Sequence, residues 1–283
     1  MIYKITHITN YEFDKTVFLE PHTFRLIPRN DPYQTVKDFS IRIKPKEAGS
    51  SYNVDLDGNT TLTAWFNETH NNLEIKTASK IELNNSNPFD YIITDLEAIK
   101  LPLKYEKVLQ KQLAAYILMQ DKPSKILIKF AKTILEESNN GTIRFLSNLC
   151  SQIHRSIEKI DREIGAPYTA DTTLSKESGS CRDLTVLFME ACRLFGLASR
   201  FISGYLTSGH DDGKIELHAW AEVYIPGAGW RGYDPSTGFM VSGDHIALAG
   251  GYSSQMASPV SGYFRGNNTK TRLSFDITIK SST

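Results

Sequence analysis

The first third of the chain alternates between apolar and polar residues, the pattern of half-buried β-strands. Residues 53–59 are typical of a strand that enters a turn with Asp57-Gly58 at its corner. Several short strands separated by turn residues predict an all-β sandwich or barrel-like domain over residues 1–95. The alternation and the β-branched and aromatic residues of this region are clearest in residues 2–7, 39–44, 60–67 and 72–83.

A turn-rich cluster at residues 84–88 precedes a change to helical spacing. Pro123-Ser124 is a predicted helix start, and residues 165–180 are predicted to form a loop. The strongest helical pattern follows, from Cys181 to Phe195, and Gly196 ends it. Its apolar stripe consists of Leu184, Leu187, Phe188, Ala191, Cys192 and Phe195, which marks a helix packed on a core.

Strand patterns return after this helix. Helices followed by strands, without βαβ alternation, predict an α+β fold. We therefore expect an N-terminal β-domain at 1–95 and a second domain at 96–283, in which the helix packs on an antiparallel sheet. The last strand, 271–280, could complete that sheet or return to the first domain. The late strands are predicted at residues 199–206, 218–225, 230–234 and 271–280.

Charge and cysteine content narrow the classes of function. The 32 Lys and Arg residues balance the 32 Asp and Glu residues, so bulk charge gives no reason to expect a nucleic acid or an anionic membrane as partner. Three cysteines are too few for a disulfide framework and suggest a reducing compartment. The first twenty residues lack the apolar run of a secretory signal. We expect a cytoplasmic protein, and its oligomeric state stays open.

Cys181 comes directly after Ser178-Gly179-Ser180, at the first turn of the strongest predicted helix. Free N–H groups and the helix dipole stabilise an anion at this end of a helix. The pKa of a thiol is lowered there, and the thiolate is the nucleophilic form. Alternatively, Cys181 is a buried core residue that begins a helix by chance, because free cysteines are often buried.

A thiolate nucleophile needs a base and a group that orients the base. His218 lies on a predicted strand, and a turn at 226–229 leads into a second strand that ends at Asp234. A hairpin symmetric about residue 226 would place the two side chains opposite each other, whereas a turn centred at 227–228 would offset them by two to four residues. A partly exposed strand histidine and an ordinary turn aspartate are the alternatives.

Four segments carry a family resemblance: GSCRDL (179–184), RFISGYL (200–206), LHAWAEVY (217–224) and GWRGYDPSTG (229–238). They resemble the transglutaminase-like superfamily of papain-like folds, and most closely its prokaryotic transglutaminase-like cysteine peptidases. Residues 3–7 and 21–26 resemble the N-terminal β-domain of this branch. The resemblance implies a papain-like core in which Cys181 is the nucleophile, His218 the general base and acid, and Asp234 the residue that orients His218. It implies no metal and no organic cofactor.

The leading expectation is a cysteine hydrolase that cleaves amide or peptide bonds through a thioester, with a peptide or protein as substrate. A protein-glutamine transamidase would use the same triad, and a non-catalytic peptide-binding module could use the same fold. The backbone N–H of Cys181 is the expected oxyanion donor. His210-Asp211-Asp212 lacks the close ligand spacing of a metal site and is predicted to be a solvated loop.

Overall fold

A computed structural model describes residues 1–84, 87–119, 121–162, 165–208 and 215–282. Residues 85 and 86 of the predicted turn cluster and the predicted loop His210-Asp211-Asp212 lie outside these ranges. Within them the predicted α+β fold is confirmed. Among the described helices, none combines the length and the apolar character needed to cross a membrane.

Sixteen strands, six α-helices and a 3₁₀ turn at Leu96–Ile99 make up the described part of the chain. The helices are α1 (Lys107–Gln112), α2 (Ala114–Ile117), α3 (Lys125–Glu137), α4 (Thr142–Ser156), α5 (Ala170–Lys176) and α6 (Cys181–Arg193). The strands are β1 (Ile2–Leu19), β2 (His22–Phe24), β3 (Gln34–Lys44), β4 (Gly49–Val54), β5 (Thr60–Trp65), β6 (Thr69–Leu83), β7 (Glu158–Lys159), β8 (Ser178–Gly179), β9 (Ser199–Leu206), β10 (Leu217–Ile225), β11 (Gly229–Asp234), β12 (Phe239–Met240), β13 (His245–Gly251), β14 (Val260–Ser261), β15 (Phe264–Arg265) and β16 (Thr271–Ser282).

Two antiparallel sheets form the N-terminal β-domain. One has the order β15-β1-β6-β3, with β16 also paired to β1, and the other has the order β14-β2-β5-β4. Apolar residues of both sheets share one buried cluster, so the alternation read from the sequence corresponds to one inward face per strand. Fully buried members of this cluster include Leu19, Phe24, Leu26, Leu73, Ile75 and Ile81.

The last strand joins this first domain. β16 pairs antiparallel with β1 from Phe13↔Thr271 to Ile2↔Ser282. The sequence left two places open for this strand, and the structure places it beside β1 rather than in the second sheet. The chain therefore leaves the N-terminal β-domain after β6 and returns to it at β14.

The second domain is built on an antiparallel sheet of order β12-β11-β10-β9-β13, with α6 packed against β10 and β9. All six residues of the predicted apolar stripe of α6 are buried in its core. The helix ends at Arg193, and the turn after it closes at Gly196, which has φ +78° and where a Cβ would lie 2.3 Å from the carbonyl oxygen of Leu103. Glycine is therefore required there both by conformation and by the close approach of another chain segment.

Two helices preceding α6 differ in how well the sequence predicted them. Ser124 caps α3 as expected, since its Oγ accepts the N–H of Leu127 at 3.2 Å. The segment 165–180 was expected to be a loop, yet it contains α5, which Thr169 caps by accepting the N–H of Thr172. Seven residues with few apolar positions give no helical stripe, so the prediction of a loop was wrong at α5.

The two domains meet along β13. The side-chain amide of Gln34 exchanges hydrogen bonds with the backbone of Ala247, at 2.7 Å from the N–H and 2.9 Å to the carbonyl. Asn59 does the same with Gly250, at 2.8 and 2.7 Å. These paired contacts fix the position of β13, the strand that begins at His245.

Candidate active site

Cys181 is the first residue of α6, and its side chain is partly exposed. The start of the helix is held by Asp183, whose Oδ2 accepts the backbone N–H of Ser180 at 2.7 Å and the hydroxyl of Ser180 at 2.9 Å. Ser180 donates both of these hydrogen bonds, and the two residues form a capping box. It fixes the turn that carries the thiol.

Asp183 also joins this turn to the preceding loop. Its Oδ1 accepts the N–H of Tyr168 at 2.6 Å and forms an ion pair with Arg162. Burial acts to raise the pKa of Asp183, but these donors and Ser180 hold the pKa below its ordinary value. This cap was not predicted, although the spacing Ser-x-x-Asp before an apolar run is a capping signal.

A tight turn sets the register of the hairpin that carries the other two predicted residues. Ala228 donates its N–H to the carbonyl of Ile225 at 2.9 Å, with Pro226 and Gly227 between them. Gly227 has φ +82°, as the third residue of a type II turn requires. The ladder of β10 and β11 therefore starts at Ile225↔Gly229.

Extending this register places Ser236 opposite His218, so Asp234 lies two residues away from the opposed position. This is one of the arrangements that the sequence left open. The offset is closed by the side chains: His218 Nε2 and Asp234 Oδ2 are 2.7 Å apart, and both residues are buried. The N–H of Ser236 holds the other oxygen, Oδ1, at 2.9 Å.

The structure brings the three predicted residues together. Because Nε2 of His218 faces Asp234, the second ring nitrogen is left for Cys181, and the two residues shift each other's pKa towards the charged forms. The backbone N–H of Ala219 also acts to lower the pKa of Cys181. A continuous chain of contacts thus runs from the thiol to the buried carboxylate.

These contacts shift the three pKa values in a consistent way. Burial acts to raise the pKa of Cys181, yet the hydrogen bond and charge of His218 hold it below its ordinary value. Burial acts to lower the pKa of His218, but the Asp234 carboxylate raises it to about 10. His218 in turn holds the pKa of Asp234 far below the usual range. The arrangement favours a thiolate–imidazolium pair at neutral pH.

A second histidine, His245, touches the same carboxylate. Its Nε2 lies 3.0 Å from Asp234 Oδ2, and its Nδ1 lies 2.7 Å from Asp244 Oδ1. His245 was not predicted to have a function. Position along the chain could not reveal this contact, because it depends on β13 lying beside β9 at the edge of the sheet.

The other two cysteines lie in the core. Cys150 is on α4 and Cys192 on α6, each at most 1% exposed. Burial raises the pKa of both thiols, with no cationic partner sufficient to oppose it. Among the three cysteines, only Cys181 combines access with a lowered pKa.

One group among the described residues brings three potential metal-binding atoms within 4.8 Å of one another, namely those of His218, Asp234 and His245. Both histidine nitrogens lie at ordinary N–H···O distances from a single carboxylate oxygen. This geometry is that of two donors on one acceptor. We therefore interpret the cluster as two hydrogen bonds that share one carboxylate oxygen.

Comparisons with known proteins agree with this architecture. Residues 3–82 match the family model of the bacterial transglutaminase-like N-terminal region. Residues 128–235 match the model of the transglutaminase-like superfamily, a segment that contains Cys181, His218 and Asp234.

Relatives of similar length exist in mycobacteria. An uncharacterized protein of Mycobacterium leprae is 24% identical over 272 residues, covering 93% of each chain. One of Mycobacterium tuberculosis is 24% identical over 291 residues, covering 97% of this chain and 92% of the relative.

A solved structure, a candidate cysteine protease from Cytophaga hutchinsonii, has the same fold. It superposes with a TM-score of 0.69 at 17% identity, over 100% of this chain and 92% of that one. By the two family matches, residues 3–82 are a bacterial transglutaminase-like N-terminal region and residues 128–235 are a domain of the transglutaminase-like superfamily.

Proposed function

We propose that the protein is a cysteine hydrolase that cleaves amide or peptide bonds through Cys181, His218 and Asp234. One observation carries the proposal: a half-buried cysteine at a helix N-terminus has its pKa lowered by a histidine that a buried carboxylate holds at 2.7 Å. Acyl transfer through a covalent intermediate requires a nucleophile, a base next to it and a group that orients the base.

The first half of the reaction forms a thioester. The thiolate of Cys181 attacks the carbonyl carbon, and the carbonyl electrons move onto oxygen as the C–S bond forms. The imidazolium of His218 gives its proton to the leaving nitrogen, the C–N bond breaks and the amine departs.

The second half returns the enzyme to its starting state. Water attacks the thioester carbonyl while His218 takes one of its protons. The C–S bond then breaks, the carboxylic acid leaves, and the thiolate of Cys181 again faces the imidazolium of His218.

The helix N-terminus supports the negative charge that develops on the carbonyl oxygen. Cys181 is the first residue of α6, so its backbone N–H has no acceptor within the helix. This N–H and the dipole of α6 favour an oxyanion next to the sulfur.

Alkylation of Cys181 tests the ion pair without a substrate. At pH 6 an ordinary thiol, with a pKa near 8.5, is almost wholly protonated and reacts slowly with iodoacetamide. We expect Cys181 of the folded protein to react at least about tenfold faster than in the urea-unfolded chain, with mass spectrometry locating the label. Cys150 and Cys192 serve as internal controls for folding, since both are buried.

The matched variant is His218→Ala, which should bring the rate for Cys181 down to that of the unfolded chain. Equal rates in the folded and unfolded wild type, or an unchanged rate in His218→Ala, would contradict the proposal.

Product analysis then distinguishes the fates of the thioester. A peptide mixture is incubated with the enzyme, with and without a labelled primary amine, and Cys181→Ala provides the blank. New peptide termini support hydrolysis. Incorporation of the amine into glutamine side chains would identify a transamidase instead, and reactive Cys181 without any product would favour the binding-module alternative.

A further inference from the structure

Both ring nitrogens of His245 face carboxylate oxygens. Nε2 lies 3.0 Å from Asp234 Oδ2 and Nδ1 lies 2.7 Å from Asp244 Oδ1. A neutral imidazole has one N–H and one lone pair, so one of these contacts would set a lone pair against a carboxylate. Both contacts are favourable only when both nitrogens carry protons, that is, when His245 is an imidazolium.

The surroundings hold this residue in place. The side chain of His245 is 3% exposed, and the indole of Trp220 meets its ring edge-on at a centroid distance of 5.1 Å. Asp244 is itself held by the hydroxyl of Ser208, at 2.6 Å from Oδ2. The N-terminal β-domain fixes β13, the strand that His245 begins, through Gln34 and Asn59.

The charged groups around His245 come from several elements. Asp234 on β11, Asp244 before β13 and His218 on β10 face its ring directly. Asp31, Glu222 and Arg231 line the cavity that His245 also lines. Arg29 forms ion pairs with both Asp31 and Glu222, so the two other carboxylates of this cavity already have a cationic partner.

We propose that His245 is a positioning residue: a permanent imidazolium, held by Asp244, that orients Asp234 towards His218 and offsets part of its negative charge. The proposal rests on the function proposed above. Asp234 Oδ2 then receives two N–H donors, one from His218 and one from His245. The strength with which Asp234 holds the proton on His218 depends on the charge of His245.

Imidazole NMR of the full chain labelled with ¹⁵N-histidine tests the charge of His245 directly. We expect His245 to show two protonated nitrogens from pH 5 to pH 9. His7 is an internal contrast, because burial lowers its pKa to about 4 and leaves it neutral over the same range.

The decisive variant is Asp244→Asn, which keeps an oxygen for Nδ1–H but removes the charge that holds the second proton. We expect His245 to lose a proton within pH 5–9 in this variant. As it does so, the His218 resonance should keep its proton to higher pH, and the alkylation rate of Cys181 should change by at least about threefold over the same step. Ser208→Ala, which removes only the outer hydrogen bond of Asp244, should show no such step.

Several results would overturn the proposal. One is a neutral His245 at pH 7 in the wild type, and another is a titration of His245 in Asp244→Asn that leaves His218 and Cys181 unchanged. A third is a stoichiometric metal ion retained on purification, with Nε2 of His245 unprotonated. Because the NMR step on His218 needs no turnover, a wild type that lacks enzymatic activity would contradict the proposed hydrolysis without deciding the role of His245.

Discussion

Asp234 lies two residues away from the position opposite His218, and its carboxylate nevertheless reaches within 2.7 Å of the imidazole. The offset follows from the turn at Pro226-Gly227, which centres the hairpin at residue 227. Asp234 ends β11 one residue beyond the last pair with β10, Ala221↔Tyr233, and the N–H of Ser236 holds its other carboxylate oxygen. The contact is made by a strand end rather than by a cross-strand pair.

Removing the charge of Asp234 should lower the fraction of Cys181 that is present as thiolate. In Asp234→Asn the neutral amide no longer stabilises the imidazolium of His218, so Cys181 should lose its reactive form near neutral pH. We expect the alkylation rate of Cys181 at pH 6 to fall at least about tenfold, and turnover by about 10²- to 10⁴-fold. Asp276→Asn, an exposed site on β16, is the matched control. Wild-type reactivity in Asp234→Asn would contradict the assigned role.

The pH dependence of turnover should differ from that of alkylation. Asp234 raises the pKa of His218 to about 10, so the imidazolium persists through neutral pH and is lost near pH 10. Hydrolysis needs this proton for the leaving amine and should decline there, with apparent pKa values that belong to the coupled pair. Alkylation needs only the thiolate and should not decline. Parallel loss of both rates above pH 9 would point to unfolding, which circular dichroism at each pH would detect.

The helix of Cys181 was predictable because one apolar stripe spans Leu184 to Phe195 and local spacing alone defines it. His218 and Asp234 were predictable as a pair because a single hairpin joins them. His245 was not, since it reaches Asp234 only through the pairing of β13 with β9, two strands that are distant in sequence. The ion pair of Asp183 with Arg162 was similarly hidden, because 21 residues separate the two along the chain.

Asp183→Asn should destabilise the fold more than an exposed ion pair would. The carboxylate is fully buried and paired with Arg162, so removing its charge breaks a buried ion pair. We expect a loss of about 3 kcal/mol in urea unfolding. Glu82→Gln, which removes an exposed pairing with Lys37, should leave the free energy of unfolding unchanged.

The pH dependence of stability provides a second readout for Asp183. Its pKa is lowered on folding, so its contribution is present above the unfolded pKa, near 3.9, and is lost as pH falls through the folded value. The difference in stability between wild type and Asp183→Asn should therefore shrink below pH 4. A constant difference down to pH 2 would argue against a charge effect.

Alanine substitutions at two glycines distinguish the cost of a left-handed backbone from the cost of a steric clash. Gly58 has φ +80° with no atom within 4 Å of a built Cβ, whereas Gly196 has φ +78° and a carbonyl oxygen at 2.3 Å. Gly58→Ala should cost about 1–2 kcal/mol, the usual price of a left-handed conformation. Gly196→Ala should cost more, because Leu103 or the end of α6 must also move. Thermal and urea unfolding of the two variants measure the difference, and equal losses would show that the contact with Leu103 relaxes freely.

The pairing of β16 with β1 has a consequence for synthesis of the chain. β1 meets β6 within the first 83 residues, but its partner on the other side begins at Thr271. At about 5–20 residues per second, roughly 10–40 s separate the two events on the ribosome. Throughout that interval the outer edge of β1 presents unpaired N–H and C=O groups, to which another nascent chain can bind. The N-terminal β-domain is thus made first and completed last, after the entire sheet that carries His218 has been translated.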